Sequence, residues 1–261
     1  MPRLHDRERI RPILETERPW TVYALADLEP GLFEHARWFC SANKQRALAL
    51  LFSGFAKPVL ITIGTAAALE SVMDEIIEEL DPCAIYAAVK PEVMPLLSER
   101  YRVVEERKMQ RMVLDPKQYR HMAKGSAVQL RLTDLEAIQR LYADGEGNGE
   151  SPDWFLPQML EQGTYYGIRE GEGLVAVAGT HVVSLNEKLA CLGNIYTRRD
   201  QRGRGLSTQV TSAVVAKLAQ MELATIVLNV RISNTTAIHV YEGIGFRKYC
   251  DYIEAPLVRG R

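Results

Sequence analysis

An excess of charge of one sign is what this sequence most plainly lacks. Its 32 Lys and Arg stand against 33 Asp and Glu, for a formal net charge of −1. No basic field draws it onto nucleic acid, and nucleic acid is not expected as a partner. Long apolar runs are also missing. The longest are strand-sized, far short of the roughly 20 residues of a membrane span, so no membrane partner is expected. The opening Met1-Pro2-Arg3-Leu4-His5-Asp6-Arg7 has no apolar core of the secretory kind. Cysteine is sparse: Cys40, Cys83, Cys191 and Cys250 form neither a CxxC pair nor a Cys/His cluster. That excludes a disulfide framework and a zinc site. It points to buried thiols in a reducing compartment, no metal, and a cytoplasmic location.

What is present is an ordinary globular composition, 47% hydrophobic and 25% charged, over 261 residues, enough for two domains of usual size. Helical periodicity runs near Arg7–Leu14 and Trp20–Leu28. Strand-like runs follow at Ala36–Cys40, Ala47–Phe52 and Pro58–Ile63. An amphipathic helix carries Leu69, Val72, Met73, Ile76, Ile77 and Leu80 at three- and four-residue spacing. A strand at Ala84–Val89, a short helix opened by Pro91 and a strand near Tyr101–Leu114 complete the first half. The polar segment 115–126 contains Pro116 and Gly125 and is the boundary candidate, dividing the chain into 1–123 and 124–261.

The second half repeats the order. A strand, Val128–Leu132, leads to a helix capped by Thr133 with Glu136 three residues on. An acidic, Gly-rich loop, Asp144–Glu150, precedes a helix started by Ser151-Pro152. Strands follow at Thr164–Arg169, Leu174–Val183 and Leu189–Thr197. Then come a helix from about Gly205, a strand at Leu223–Val230, a helix at Thr235–Glu242 and a strand at Phe246–Glu254. The expected class is α/β (α+β): two tandem units of like architecture, each a mixed, mostly antiparallel sheet flanked by helices.

The most informative stretch runs from Gly193 to Thr208. A strand enters a turn with two glycines and then an amphipathic helix. Backbone N–H groups approach a phosphate closely where no Cβ intervenes, and a helix N-terminus adds unpaired donors. Arg202 and Arg204 add formal charge. The spacing is neither that of a P-loop nor that of a dinucleotide fingerprint. A short surface turn, or an RNA-binding Arg-Gly tract, is the bland alternative. Such tracts are long and aromatic-interleaved, and this one is flanked by regular elements.

Arg202-Gly203-Arg204-Gly205-Leu206-Ser207 resembles the coenzyme-A pyrophosphate loop of the GNAT acyltransferase superfamily, with Ser207 at its final small position. Asn234 to Phe246, an Asn, a short helix with a Tyr, then Gly-Phe opening a strand, resembles the family's second signature. Both occur in the family's order across the C-terminal half. The N-terminal half has Gly64-Thr65-Ala66-Ala67-Ala68 where the cradle would be and resembles a degenerate copy. This layout is similar to that of two-domain glycine N-acyltransferase-like proteins.

The resemblance implies an acyl-CoA-dependent N-acetyltransferase acting on a primary amine of a small molecule or amino acid. Acetyl-CoA, or another acyl-CoA, would be the co-substrate. Arg202, Gly203, Arg204, Gly205 and Ser207 would hold the pyrophosphate. The main chain of Ile195 and Thr197 would meet the pantetheine arm and polarise the thioester carbonyl. Asn234 would contact the cofactor, or cap its helix. Tyr241 is the expected general acid, a phenol of ordinary pKa about 10 protonating the leaving thiolate. No carboxylate lies at Leu189–Gly193, so His181 is the candidate base. Glu146, Glu150 and Asp153 could bind a cationic amine or be solvated. A non-catalytic acyl-CoA sensor and a protein N-acetyltransferase stay open, as does oligomeric state, a homodimer included.

Overall fold

The computed structural model describes residues 4–40, 47–79 and 84–259. In chain order the elements are α1 (Arg7–Leu14), α2 (Val22–Ala26), α3 (Pro30–Phe33), β1 (Ala36–Cys40), β2 (Leu48–Phe52), β3 (Val59–Ile63), α4 (Ala66–Glu79), β4 (Ala84–Val89), α5 (Met94–Ser98), β5 (Tyr101–Val103) and β6 (Arg107–Leu114). Next come β7 (Val128–Gln129), α6 (Leu135–Glu146), α7 (Met159–Gln162), β8 (Tyr166–Glu170), β9 (Gly173–Ser184), β10 (Leu189–Thr197), α8 (Leu206–Ala219), β11 (Thr225–Arg231), α9 (Thr235–Ile244) and β12 (Phe246–Arg259).

The chain forms two compact units, one of Met1–Arg111, Arg231–Ser233 and Tyr249–Arg261, the other of Met112–Val230 and Asn234–Lys248. They do not follow the expected cut at 123/124. Hydrogen bonding explains the difference. The far half of β12 pairs antiparallel with β4, Ile253 opposite Val89 through Val258 opposite Ala84, and then with β5. Ile253, Ala255 and Leu257 are buried there with Ile85, Ala87 and Val89. The last residues therefore belong with the first.

In the first unit β1, β2 and β3 are antiparallel, and β3 and β4 are parallel. The β3–β4 crossover is α4, whose Leu69, Val72, Met73 and Ile76 enter the core with Ala49, Leu51 and Leu60. Arg111, 2% exposed, donates from Nη1 to the carbonyls of Pro19 and Trp20 at 3.0 and 2.8 Å. The second unit is likewise mostly antiparallel: β7, β8, β9 and β10 pair that way in turn, and β10 pairs parallel with β11 across α8. Alternate β9 residues serve two cores. Ala176 and Ala178 pack with α8, α9 and Phe246, and Val177 packs with Ile138, Leu141 and Tyr142 of α6.

Three local expectations change. Asp134, not Thr133, holds the start of the α6 region, its Oδ2 accepting from the Arg131 N–H at 2.8 Å. Ser151-Pro152 starts no helix, and the next is the single turn α7. The acidic segment expected as a loop from Asp144 is helical through Glu146. Among the cysteines, Cys191 is buried and Cys40 and Cys250 are half-buried, while Cys83 lies outside the described residues. Among the described residues no helix is long and apolar enough to cross a membrane, and no group of three or more His, Cys, Asp or Glu could hold a metal.

Candidate active site

The site begins where β10 and β11 part. Their parallel pairing runs from Leu189 opposite Thr225 to Leu192 opposite Leu228 and stops, although β10 continues to Thr197. At that point β10 changes register against β9, between Gly193 and Tyr196, and Asn194 takes φ of 55°. Arg198 N–H donates to Val175 O at 2.9 Å. Alternation of the ladder then turns the main chain of Thr197 away from β9. Ile195, on the other side of Tyr196, takes the same sense. Two residues thus offer main-chain groups towards a gap that no strand of the described residues fills. Thr197 Oγ1 is buried without a hydrogen-bond partner among the described residues.

Beyond Thr197 the chain makes a short 3-10 turn, Arg199–Gln201, and enters α8 through two left-handed glycines, Gly203 (φ 80°) and Gly205 (φ 72°). A residue with Cβ is strained in that conformation. Gly205 is the N-cap of α8 and brings no capping side chain, so the helix opens with unpaired N–H donors. Arg202 is exposed. Its Nε reaches the Thr197 carbonyl at 3.3 Å, its guanidinium pairs with Glu150 at 2.7 Å, and it lies 5.7 Å over the Tyr196 ring. Arg204 pairs with Glu170 at 2.6 Å. The bond from Arg202 holds the Glu150 carboxyl below the usual carboxylate range. Left-handed glycines, an uncapped helix start and two arginines form a donor set that fits a pyrophosphate.

Tyr241, on α9, is 5% exposed and belongs to the apolar cluster of Leu192, Leu228 and Phe246, with Ile195 packed against it. Its hydroxyl makes no hydrogen bond among the described residues. Burial pushes its phenol well above the ordinary tyrosine value. Asn234 caps α9, its Oδ1 accepting from the Ala237 N–H at 3.1 Å. Ser207, half-buried, lies in the first turn of α8. His181 lies on the other side of β10. Its ring packs on Gly193 so closely that a Cβ there would collide with it, and Nε2 lies 3.3 Å from Asn194 Oδ1. The structure thus sets Ile195, Thr197 and the Arg202–Ser207 segment in succession at the end of β10, with Tyr241 in the apolar cluster against which Ile195 packs. It draws His181 into a different set of contacts.

Four residues that the sequence analysis did not single out complete the site. Tyr196 donates to Asp144 Oδ2 at 2.8 Å, and the same oxygen accepts from the Arg199 N–H at 3.0 Å. Burial, with Asp144 adding to it, pushes the Tyr196 phenol up to about 12. The Arg199 N–H, then the Tyr196 hydroxyl, hold the Asp144 carboxyl low. Asn194 and Tyr142 meet where the Tyr142 hydroxyl donates to Asn194 O at 2.8 Å. The Gly193-Asn194 pair inside a strand was the one available signal, since Asn tolerates positive φ better than most residues.

Residues 165–254 match the FR47-like protein family. The chain is 30% identical over 119 residues to the [Ribosomal protein bS18]-alanine N-acetyltransferase of Escherichia coli K12, covering 46% of this chain and 78% of that protein. It is 31% identical over 102 residues to a mycothiol acetyltransferase of Tsukamurella paurometabola, covering 37% of this chain and only 34% of that longer protein. A GNAT-family structure from Novosphingobium aromaticivorans shares the fold at a TM-score of 0.58 and 20% identity, over 85% of this chain and 92% of that one. On these similarities and the fold, the chain belongs to the GNAT superfamily of acyl-CoA-dependent N-acetyltransferases.

Proposed function

We propose that the protein moves an acetyl or related acyl group from acyl-CoA, acetyl-CoA in the first instance, to a primary amine of a small molecule or amino acid. The observation that carries this is the parting of β10 from β11 just ahead, along the chain, of an uncapped, doubly glycine-hinged helix start. The co-substrate supplies a thioester, an acyl group already activated towards an amine. Gly203, Gly205 and Ser207 would hold its pyrophosphate through main-chain N–H groups, with Arg202 and Arg204 screening the charge. Glu150 and Glu170 occupy those guanidiniums, so phosphate must compete with two carboxylates. Ile195 and Thr197 would pair with the pantetheine arm, and one of their N–H groups would face the charge that develops on the carbonyl oxygen. Asn234 would border the cofactor while capping α9.

Tyr241 holds the proton for the departing sulfur. Its hydroxyl is uncommitted and its raised pKa keeps it protonated at neutral pH. His181 enters this reading as the candidate base, with its Nε2 turned to Asn194 Oδ1 at 3.3 Å. Asn194 Nδ2 donates to Tyr165, so Oδ1 is the atom facing the ring and Nε2 carries the proton. The amine's proton passes to His181 or to a chain of water. The first unit is assigned as a GNAT-like copy without a cradle. Its crossover helix α4 is preceded by Thr65, whose Oγ1 accepts from the Ala68 N–H at 3.3 Å, where α8 leaves its donors open.

The bS18-alanine relative, named for a protein substrate, favours a second reading in which the acceptor is a peptide N-terminus. Thiol release from acetyl-CoA is to be followed with amino acids, polyamines and a peptide beginning with Ala. Turnover with the small amines supports the first reading, and turnover with the peptide alone supports the second. Binding without turnover on any amine makes the protein an acyl-CoA sensor instead.

A further inference from the structure

Within the strands of the described residues Asn194 is the only non-glycine residue with positive φ; Lys188 and Glu222, the other two, lie in turns. Such a backbone carries strain and persists only where its surroundings over-determine it. Here they do. Asn194 is 5% exposed. Its carbonyl accepts from Tyr142 of α6 at 2.8 Å. Its Nδ2 donates to the Tyr165 hydroxyl at 2.8 Å and to Met159 Sδ of α7 at 3.4 Å. Its Oδ1 faces His181 Nε2 of β9 at 3.3 Å. Tyr165 in turn donates to Thr180 O at 3.1 Å. Contacts from three regular elements and the residue leading into β8 thus fix one bulge.

That bulge has a single geometric consequence. It falls between the last β10–β11 pair, at Leu192, and the two residues whose main chain faces the gap, Ile195 and Thr197. A strand without the extra residue would continue its register, and neighbouring parallel strands with matched registers pair. We propose that Asn194 is a positioning residue for the acyl-CoA arm: its buried side-chain network holds the β10 bulge and so keeps the β10 edge at Ile195 and Thr197 free to pair with the ligand. This rests on the acyl-transfer reading given above. It also accounts for His181 and Gly193, which form the rear wall of the network.

The test separates the arm from the cradle. Binding of acetyl-CoA and of adenosine 3′-phosphate 5′-diphosphate, which carries the pyrophosphate but no pantetheine, is measured by calorimetry. Asn194→Ala is expected to weaken acetyl-CoA by about ten- to a hundredfold, the size of a lost buried hydrogen-bond set, and to leave the fragment within about twofold. Asn194→Gly, which adopts positive φ freely, should recover part of the loss. Tyr142→Phe removes only the bond to the Asn194 carbonyl and should give a smaller split of the same kind, so the test stands if Asn194→Ala fails to fold. Equal weakening of both ligands, or unchanged acetyl-CoA affinity, in folded variants overturns the positioning role while acyl transfer stands. Wild-type protein that binds the fragment but not acetyl-CoA overturns both.

Discussion

Replacing Tyr241 by Phe removes one hydroxyl from a side chain that is 5% exposed and makes no hydrogen bond among the described residues. Two consequences follow, with opposite structural meaning. For stability the change is small. No hydrogen bond is broken and a desolvated polar atom is removed, so the unfolding free energy should stay within about 1 kcal/mol of wild type or rise slightly. For turnover it is large. A positioned proton donor contributes about 100- to 10,000-fold, or about 3–5 kcal/mol of barrier. Release of thiol, read with a chromogenic disulfide under saturating acetyl-CoA and amine, measures the second; thermal unfolding measures the first. The pH dependence carries a sign. Burial raises the folded phenol above the unfolded value of about 10, so its stabilisation is complete below about pH 10 and is lost as pH climbs towards the folded value. The Phe variant should lose less stability than wild type in that alkaline window. A variant that keeps kcat within about twofold and binds acetyl-CoA normally would refute the proton-donor role.

Three further outcomes are expected. Gly205→Glu puts a side chain on a left-handed φ and a carboxylate on the α8 N-terminus, so acetyl-CoA binding by calorimetry should fall by at least about tenfold while the fold is kept. Glu150→Gln frees Arg202 from its carboxylate; acetyl-CoA affinity should rise modestly, by less than about tenfold, and the gain should shrink as salt is added. Arg111→Met leaves the Pro19 and Trp20 carbonyls without their buried donor, and should lower the unfolding free energy in urea by about 2–4 kcal/mol.

Much of this site could be read in the chain because its parts answer to local rules. Gly203 and Gly205 stand where backbone φ is positive, which few other residues tolerate. Leu206, Val210, Val214 and Leu218 recur with helical spacing because α8 buries one side. The bounds expected for β1, β4 and β10 coincide with those observed, since each is a short apolar run closed by polar or turn residues. What could not be read depends on long-range pairing. Asp144 meets Tyr196 and Asn194 meets Tyr142, each 52 residues apart, and no local pattern announces either contact. The return of β12 beside β4 joins Val258 to Ala84 and overrides any cut drawn from composition. Ser151-Pro152 carried a helix-start signal, yet the residues after it form only bends and turns before the single turn α7. The lack of a carboxylate at Leu189–Gly193 and the chemistry of imidazole point to His181 as a base, whereas its partner, Asn194, comes into view only with the fold.

The central claim, an acyl-CoA site built by the opening of β10 and the start of α8, is tested most directly by thermal unfolding with and without acetyl-CoA, with ATP as the control. Acetyl-CoA at about a hundred times its Kd should add about 2.7 kcal/mol of stability, ATP should add little, and Gly205→Glu should erase the difference. An unchanged melting curve at millimolar acetyl-CoA, or an equal shift with ATP, would contradict it.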